Sequence, residues 1–462
     1  MSLIKSISGI RGTIGGMVNN NLTPIDAVKF AAAYGMWLKN QTKKEKLTVI
    51  LGRDARISGK MVSSLVGNTL VGLGINVTDI GLSTTPTVEV AVQLDEADGG
   101  IIITASHNPK QWNALKLLNN KGEFLNATDG EEVLKIAEND SYIFSEVDNL
   151  GKFRKKQHYI NKHIREVLSL ELVNVEAIKK AKFKVVVDAV NSTGGIAIPA
   201  LLEKLGVNCV ELYCEPNGEF PHNPEPLKEH LSVISKLVVK ENADLGIVVD
   251  PDVDRLALVN EDGSMFGEEY TLVACADYVL SKTKGNTVSN LSSSRALRDI
   301  TQKHGGNYTA SAVGEVNVVE LMKKNNAVIG GEGNGGIIYP ESHYGRDSLV
   351  GVALFLSHLA TSKMSCKELR NSYPNYYMSK NKIELTPQIN VDAILNTIAS
   401  SYKNEDVITI DGVKINFQSE WVHLRKSNTE SIIRIYTESN SQNSADELAQ
   451  RFIKEIKSII IK

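Results

Sequence analysis

Residues 245–255 read LGIVVDPDVDR, an apolar run that is followed at once by three aspartates at alternate positions. The apolar run is typical of a buried strand, and it must end at Pro251 because proline has no backbone N–H for a central sheet. Asp250, Asp252 and Asp254 then share one turn, where their carboxylates repel one another unless a cation joins them. Such oxygen-only ligands favour a hard divalent ion, above all Mg²⁺. A solvated acidic turn is the simpler alternative.

A second apolar run, GGIII at 99–103, leads into the turn TASHNP at 104–109. A serine at the exit of a strand, as Ser106 would be, is exposed on a rigid base, which suits a nucleophile or a phosphate carrier. Asn108 precedes a proline, so it is pushed out of the helical region and the chain turns here. Serine next to histidine is also common among polar surface residues, and this motif alone does not decide between the two.

The 462-residue chain is long enough for about three or four domains. Its 42% hydrophobic and 23% charged residues are ordinary for a globular protein, and a net charge of −3 gives no electrostatic case for nucleic acid or an anionic membrane. The four cysteines form no CxxC pair and no zinc-like spacing, which fits a reducing compartment. The N-terminus lacks a signal-peptide core and no apolar stretch could span a bilayer, so a cytoplasmic protein is expected.

Strand and helix patterns alternate through most of the chain, which predicts mostly parallel sheets covered by helices. Three such units follow one another, and beyond residue 375 short alternating segments indicate antiparallel strands with flanking helices. We therefore predict an α/β protein with three similar mixed α/β sheet domains and a C-terminal α+β domain around a central cleft. The predicted domain boundaries are 1–150, 151–260, 261–372 and 373–462.

Each of the last two units contributes a loop that suits a phosphorylated sugar. In GGEGNGG at 330–336, the glycines let the backbone approach a ligand, and Glu332 can accept hydrogen bonds from neighbouring hydroxyls. In RKSNTES at 425–431, Arg425 offers a planar fork of donors that matches phosphate oxygens, and Arg434 follows on the next strand. Judged alone, the first segment is also an ordinary glycine connector and the second a charged hairpin turn.

Read together, these four loops resemble the α-D-phosphohexomutase superfamily, which includes phosphoglucomutase, phosphomannomutase and phosphoglucosamine mutase. The resemblance covers essentially the whole chain, keeps the order of the family's motifs, and is strongest to the bacterial phosphoglucosamine mutases. SGIRG at 8–12 looks like the family's N-terminal phosphate-contacting loop, and GRDAR at 52–56 and TPT at 85–87 match recurrent segments. By this resemblance the four domains carry, in order, the phosphoserine, the metal, the sugar-binding loop and the C-terminal phosphate-binding loop.

The resemblance implies a phosphoserine mechanism. Ser106 would carry a phosphate, and Mg²⁺ held by Asp250, Asp252 and Asp254 would also be ligated by that phosphate, so that charge on the transferring group is neutralised. The phosphoserine would donate to the free hydroxyl of a hexose monophosphate. The resulting hexose 1,6-bisphosphate, both intermediate and activator, would turn round and return its other phosphate to the serine. The net result is migration of phosphate between C6 and C1.

The resemblance also assigns roles to side chains around Ser106. A general base must take the hydroxyl proton and return it, and His107 and Lys116 are the candidates. Lys116 matches the lysine that follows the serine loop in the family, although it could equally be a solvated loop lysine. Arg11 lies in the phosphate-contacting loop and completes the catalytic set, and Arg255 would orient the serine phosphate.

The substrate-binding loops match the family with departures. Glu332 and Asn334 would hold the sugar hydroxyls, but Asn334 replaces the usual serine and Gly336 the usual histidine. Gly333 stands at a variable position that is often associated with sugar preference, and it has no side chain. The phosphate that is not reacting would be bound through Arg425, Ser427, Asn428, Thr429 and Arg434.

Substrate identity is therefore open while the reaction class is not. We predict interconversion of glucosamine 6-phosphate and glucosamine 1-phosphate, with phosphomannomutase or phosphoglucomutase activity as the alternative. A non-catalytic phosphosugar-binding paralogue and a serine hydrolase that uses Ser106 and His107 are two further readings, the last without a G-x-S-x-G elbow. The expected partner is a small phosphosugar, with no nucleic acid and no membrane, and the chain is expected to be a monomer or homodimer. The last domain is expected to act as a movable lid.

Overall fold

The structure is a computed structural model that describes residues 2–6, 9–386, 389–426 and 432–461. Within these residues the chain forms four β-sheets in succession, with helices packed against them. The first three sheets mix parallel and antiparallel pairs, whereas every strand pair of the fourth is antiparallel. The predicted fold class, three mixed α/β domains and a C-terminal α+β domain, is confirmed. None of the helices in these residues combines the length and apolar character that crossing a bilayer requires.

The first domain carries the Ser106 turn. Its elements are β1 (Ile4–Ser6), β2 (Gly9–Thr13), α1 (Pro24–Gln41), β3 (Thr48–Arg53), α2 (Gly59–Gly72), β4 (Asn76–Leu82), α3 (Thr85–Leu94), β5 (Gly99–Ile103), β6 (Trp112–Leu118), α4 (Ala127–Glu138), a 3₁₀ helix (Val147–Asn149) and β7 (Phe153–Lys155). The strand order is β1-β2-β6-β5-β3-β4-β7, so β7 joins this sheet although it lies beyond residue 150. Every residue of β5 is buried, and its carboxyl end leads directly into the Ser106 turn.

The second domain carries the aspartate turn. Its elements are α5 (Tyr159–Ser169), α6 (Val175–Ala181), β8 (Lys184–Asp188), α7 (Gly194–Lys204), β9 (Asn208–Leu212), a 3₁₀ helix (Lys228–His230), α8 (Ser232–Lys240), β10 (Leu245–Val249) and β11 (Leu256–Asn260). The predicted apolar strand is β10, which is buried throughout, runs parallel to β8 and pairs antiparallel with β11. The three aspartates therefore occupy the tight connection between two central strands.

The third domain carries the glycine-rich loop. Its elements are α9 (Glu268–Lys282), β12 (Asn286–Asn290), α10 (Ala296–Lys303), β13 (Tyr308–Ser311), α11 (Glu315–Asn325), β14 (Ala327–Glu332), β15 (Gly336–Ile338), α12 (Ser348–Ser362) and α13 (Cys366–Asn371). The loop is a hairpin turn between the antiparallel strands β14 and β15. Asp347 caps α12 by accepting hydrogen bonds from two backbone N–H groups of its first turn.

The fourth domain has an antiparallel sheet of order β16-β20-β19-β18-β17. Its elements are β16 (Tyr377–Glu384), α14 (Val391–Ser401), β17 (Asp406–Ile408), β18 (Val413–Asn416), β19 (Trp421–Lys426), β20 (Ile432–Ser439) and α15 (Gln442–Ile461). Its buried apolar side chains form a cluster of their own. The second and third domains instead share one continuous apolar cluster, in which α12 packs against α5, α6, α7 and α9.

Candidate active site

A cavity of about 810 Å³ is lined by side chains from all four domains, as the prediction of a central cleft required. Its wall includes the following residues singled out from the sequence: Arg11, Ser106, His107, Lys116, Arg255, Glu332, Asn334, Arg425 and Arg434. Asp250, Asp252 and Asp254 are fully buried directly behind Ser106 and Lys116. The remaining predicted contacts, Ser427, Asn428 and Thr429, lie outside the described residues.

The Ser106 turn is strained and is held by a buried arginine. Ser106 has a φ of +47°, in the left-handed region that a side chain disfavours. Arg56 is fully buried, and its Nη2 donates to the carbonyls of Ser106 (2.5 Å) and Asn108 (2.6 Å), while Nη1 donates to two further carbonyls of this segment. Asp54 pairs with Nε of Arg56 at 3.0 Å. The segment GRDAR at 52–56 matches a recurrent family segment, but its sequence does not predict that Arg56 holds the Ser106 turn.

The hydroxyl of Ser106 is directed at the aspartates. Its Oγ donates a hydrogen bond of 2.6 Å to Oδ2 of Asp250, whereas Nδ1 of His107 lies 3.4 Å away. A serine hydrolase needs its hydroxyl directed at the base, so this geometry favours a phosphate carrier beside a cation site.

The three aspartates form a cluster that suits a cation. One carboxylate oxygen from each lies within 4.8 Å of the others. Asp252 and Asp254 each keep one buried oxygen, Oδ1, without a hydrogen-bond partner among the described residues. Burial, together with the like charges of Asp254 and Asp252, raises the pKa of Asp250 well above its usual range. Unpaired buried oxygens and mutual repulsion are both relieved by a divalent ion, so the chain has a carboxylate cluster able to hold a metal.

Lys116 lies on β6, buried, and not in a solvated loop. Its Nζ donates to Oδ2 of Asp252 at 2.7 Å and to Oδ2 of Asp254 at 3.2 Å. Burial acts to lower the pKa of Lys116, but the two carboxylates raise it overall. Lys116 therefore places a positive charge between the aspartate turn and the cavity.

Arg346 is the main residue of the site that the sequence motifs do not predict. Its Nη2 donates to Asp254 at 2.6 Å, its Nη1 to Glu332 at 2.9 Å and its Nε to Glu315 at 3.0 Å. These three carboxylates come from the second and third domains, and all four side chains are nearly buried. Arg346 thus links the aspartate cluster to the glycine-rich loop. A single arginine before a helix cap has no sequence spacing that would indicate this role.

Glu332 is held in place before any ligand binds. Its Oε1 accepts from Nδ2 of Asn290 at 2.7 Å and from the backbone N–H of Gly314 at 3.2 Å, and its Oε2 accepts from Arg346. Asn334, two residues on, accepts a hydrogen bond from the N–H of Gly336, which closes the turn. The carboxylate therefore faces the cavity in a fixed orientation.

The cavity wall next to Ser106 is positively charged. Nη1 of Arg11 donates to the side chain of Asn108 at 3.1 Å, and Nη1 of Arg255 lies 3.4 Å from Glu225. Burial, together with the charges of Arg255 and Arg11, holds the pKa of His107 well below its usual range. A neutral imidazole therefore stands beside two guanidinium groups, whose N–H donors match phosphate oxygens.

A second positive group lies on the fourth domain. Arg425 and Arg434 stand directly opposite each other on the antiparallel strands β19 and β20. Like charges in this position repel, and Asp411 compensates one of them through contacts of 2.8 and 2.9 Å with Nε of Arg425. An anion that binds between the two arginines would relieve the repulsion further.

Family models cover this architecture from end to end. The alpha/beta/alpha domains I, II and III of phosphoglucomutase/phosphomannomutase match residues 4–143, 159–263 and 267–377, and the C-terminal domain of the same proteins matches 382–455. The chain belongs to this family.

Individual family members agree over almost the full length of the chain. It is 35% identical to the phosphoglucomutase/phosphomannomutase of Thermococcus kodakarensis, over 96% of this chain and 97% of that protein. It is 32% identical to the phosphoglucosamine/phosphogalactosamine mutase of Sulfurisphaera tokodaii, over 100% and 99%. A crystal structure of a phosphoglucomutase/phosphomannomutase family protein from Burkholderia thailandensis shares the fold, with a TM-score of 0.83, 24% identity and coverage of 99% and 98%.

Membership in the phosphoglucomutase/phosphomannomutase family confirms the resemblance inferred from the sequence motifs. Its members are isomerases, so this chain is an enzyme, an intramolecular phosphotransferase. A non-catalytic paralogue is accordingly set aside.

Proposed function

We propose that the chain is a phosphohexomutase that interconverts glucosamine 6-phosphate and glucosamine 1-phosphate through a phosphoserine and a bound hexose 1,6-bisphosphate. The observation that carries the proposal is the 2.6 Å hydrogen bond from Ser106 to Asp250, at the edge of a cavity lined with arginine. Relatives named as phosphoglucosamine mutases, such as the Sulfurisphaera tokodaii protein at 32% identity, support this substrate.

In this proposal the resident metal is Mg²⁺, held by Asp250, Asp252, Asp254 and the phosphate on Ser106. The bound ion would neutralise charge on the phosphoryl group in transfer. The oxygen-only ligand set supports Mg²⁺ over softer ions. Lys116 would then add a fixed positive charge on the cavity side of the cluster, because its Nζ already contacts two of the ligands.

The transfer itself balances with the groups at hand. The phosphorus–Oγ bond of phosphoserine breaks while a bond forms between phosphorus and the free sugar hydroxyl, and the bonding electron pair returns to Oγ. The hydroxyl proton passes to a base. Of the two candidates beside Ser106 and its aspartate partners, His107 is favoured because its lowered pKa leaves the imidazole neutral, whereas the raised pKa of Lys116 keeps its ammonium group protonated. Transfer of the other phosphate of the bisphosphate restores the phosphoserine.

Binding at the other end would leave the sugar free to turn round. Arg425 and Arg434, with Ser427, Asn428 and Thr429, would bind whichever phosphate is not reacting. Glu332 and Asn334 would hold sugar hydroxyls that occupy similar places in both orientations, while Arg11 and Arg255 would contact the serine phosphate. The fixed orientation of Glu332 supports this role. The four domains would each supply one of these loops. Their proposed boundaries are 1–150, 151–260, 261–372 and 373–462, except that β7 extends the first domain beyond residue 150.

The test is conversion of glucosamine 6-phosphate, followed by ³¹P NMR after the enzyme is primed with hexose 1,6-bisphosphate. We expect the wild type to form the 1-phosphate and Ser106→Ala to lose activity by at least about 10³-fold, because the phosphate carrier is gone. Intact-mass measurement should find phosphate on the wild type only. Ser141→Ala, at an exposed serine, is the control. Full activity of Ser106→Ala would refute the proposal.

Phosphomannomutase or phosphoglucomutase activity is the second candidate, favoured by the name of the Thermococcus kodakarensis relative. The values of kcat/KM for glucosamine, glucose and mannose 6-phosphates decide between them, since specificity is a ratio of these constants. A preference for glucose or mannose 6-phosphate would replace the amino sugar in the proposal and leave the mechanism intact.

We further propose a cytoplasmic enzyme that works as a monomer or homodimer on a small phosphosugar. The four cysteines are free thiols, which supports a reducing compartment. Sedimentation in the presence and absence of substrate measures the oligomeric state, and a larger assembly would contradict this part.

A further inference from the structure

The glycine-rich loop has no side chain at Gly333, and the carboxylate of Glu269, which belongs to another element, occupies the space where one would lie. A Cβ added to Gly333 would lie 1.8 Å from Oε2 and 2.3 Å from Cδ of Glu269. Glu269 belongs to the first turn of α9 and lines the same cavity as Glu332 and Asn334. The position next to the sugar-binding carboxylate is thus filled from a different part of the chain.

The Glu269 carboxyl group has no direct ion pair among the described residues, and the charge of Lys380 acts on it only from beyond contact distance. Its Oε2 accepts one hydrogen bond, of 2.9 Å, from the backbone N–H of Ser294. Among the residues that the structure describes, no cation lies within 4.0 Å of it, whereas the preceding Glu268 pairs with Lys380 at 2.5 Å. Burial raises the pKa of Glu269 to about 8. The carboxyl group is therefore largely protonated near neutral pH before a ligand binds, and a positive group on a ligand would supply a partner that favours its ionised form.

We propose that Glu269 selects the substrate by binding the free ammonium group of a 2-amino-2-deoxyhexose phosphate. This inference rests on the proposed function and names the residue that gives it its substrate class. An ammonium group offers both charge and hydrogen bonds to a carboxylate. A 2-hydroxyl group carries no charge. A 2-acetamido group also carries no charge, and it does not fit into the space that the carboxylate already occupies. Glucose and N-acetylglucosamine phosphates are therefore the disfavoured ligands.

Glu269→Gln separates this role from a purely structural one. Glutamine keeps the shape and can still accept the hydrogen bond from Ser294, but it removes the charge. The matched control is Glu320→Gln, which removes an exposed carboxylate on α11 that lines the same cavity and is not among the charges that act on Glu269. A double variant, Glu269→Ala with Gly333→Asp, returns a carboxylate to the same space from the glycine-rich loop. The alanine at 269 removes the side chain that a Cβ at position 333 would otherwise meet.

The experiment measures binding of glucosamine 6-phosphate, glucose 6-phosphate and N-acetylglucosamine 6-phosphate by calorimetry on the full-length protein. We expect the wild type to bind the amino sugar at least about tenfold more tightly than the other two. Glu269→Gln should lose about tenfold to 100-fold in affinity for glucosamine 6-phosphate, the value of a hydrogen bond between charged groups, and change little for glucose 6-phosphate. Glu320→Gln should keep the ratio, and the double variant should recover part of it.

An unchanged ratio in Glu269→Gln, or no preference in the wild type, would overturn the inference. Turnover of the same sugars, measured in parallel, separates this result from failure of the proposed function. An amino-sugar preference in binding without any mutase turnover would refute the proposed function and leave Glu269 as the selecting residue. Turnover of glucosamine 6-phosphate with an unchanged ratio in the variant would refute Glu269 alone.

Discussion

The two walls of the cavity are built differently. On the wall formed by the first three domains, Arg346 makes three ion pairs of 2.6 to 3.0 Å with side chains that are at most 10% exposed. On the wall formed by the fourth domain, Arg425 is 23% exposed, and within the described part of the chain its ion pair is with Asp411. The second and third domains also share an apolar core, whereas the first and the fourth each have a cluster of their own.

The difference matches what each wall has to do in the proposed reaction. Phosphoryl transfer needs charges that are fixed before the reaction begins, since they then cost no reorganisation at the transition state. A bisphosphate that turns round needs a partner that can loosen and close again. A separate core with a partly exposed ion pair supports such movement, and the lid role of the last domain stays a prediction.

Removing the metal cluster should have the largest effect. Asp250→Asn, or chelation by EDTA, should reduce kcat by about 10³-fold, because charge neutralisation at the phosphoryl group is worth several kcal/mol. The same variant should raise the Tm of the metal-free protein by a few degrees, since it relieves repulsion among three buried carboxylates. Activity that survives both treatments would contradict the placement of the metal site on the rigid wall, which is the wall formed by the first three domains.

Arg346→Lys tests the rigid wall directly. Lysine cannot reproduce the fork that reaches Asp254, Glu332 and Glu315 together. We expect kcat to fall about 100-fold and the free energy of unfolding to fall by about 3 kcal/mol, as when a buried ion pair is broken. Denaturant unfolding and steady-state kinetics measure the two effects. A change in KM alone would show that Arg346 binds substrate without organising the cluster.

The same substitution on the other wall, Arg425→Lys, should be milder. Its partner Asp411 is partly exposed, so the free energy of unfolding should change by less than about 1 kcal/mol. We expect KM to rise about tenfold while kcat stays nearly constant, because this arginine would bind both orientations of the substrate equally. If both Arg→Lys variants gave the same loss of stability, the contrast between the walls would be wrong.

The sequence predicted those parts of the site whose residues lie close together in the chain, and it did not predict those that depend on contacts between distant residues. Ser106 and the three aspartates each follow an apolar strand within one continuous segment, so local pattern was enough to find them. Arg346, Arg56 and Glu269 act through contacts with residues far along the chain, and packing alone brings them together. Glu332 was found through its glycine-rich loop, but its fixation by Arg346 was not. The β7 strand joins the first sheet from beyond residue 150, because strand pairing does not follow the polar composition of the preceding linker.

The smallest expected effect on turnover concerns the contact that ties the rigid wall together, because its residues do not line the cavity. His343 lies between Glu89 of the first domain and Asp347, at 3.2 Å from each, and Asp347 also contacts His163 of the second domain at 2.9 Å. Burial acts to lower the pKa of His343, but the hydrogen bond to Asp347 and the nearby Glu89 carboxylate raise it overall, to about 10. This charged group therefore helps to hold three domains in register around the aspartate cluster.

Linkage then gives the sign of the pH dependence. The folded chain keeps a proton on His343 that the unfolded chain releases near pH 6.5. Its stabilising contribution is thus complete below about pH 6.5 and is lost as the pH rises through about 10. Calorimetry between pH 6 and 10 should show Tm falling with pH in the wild type and with His230→Gln, at a partly exposed histidine, but a flatter profile with His343→Gln. An equal slope in all three proteins would mean that the contact between domains does not depend on this charge.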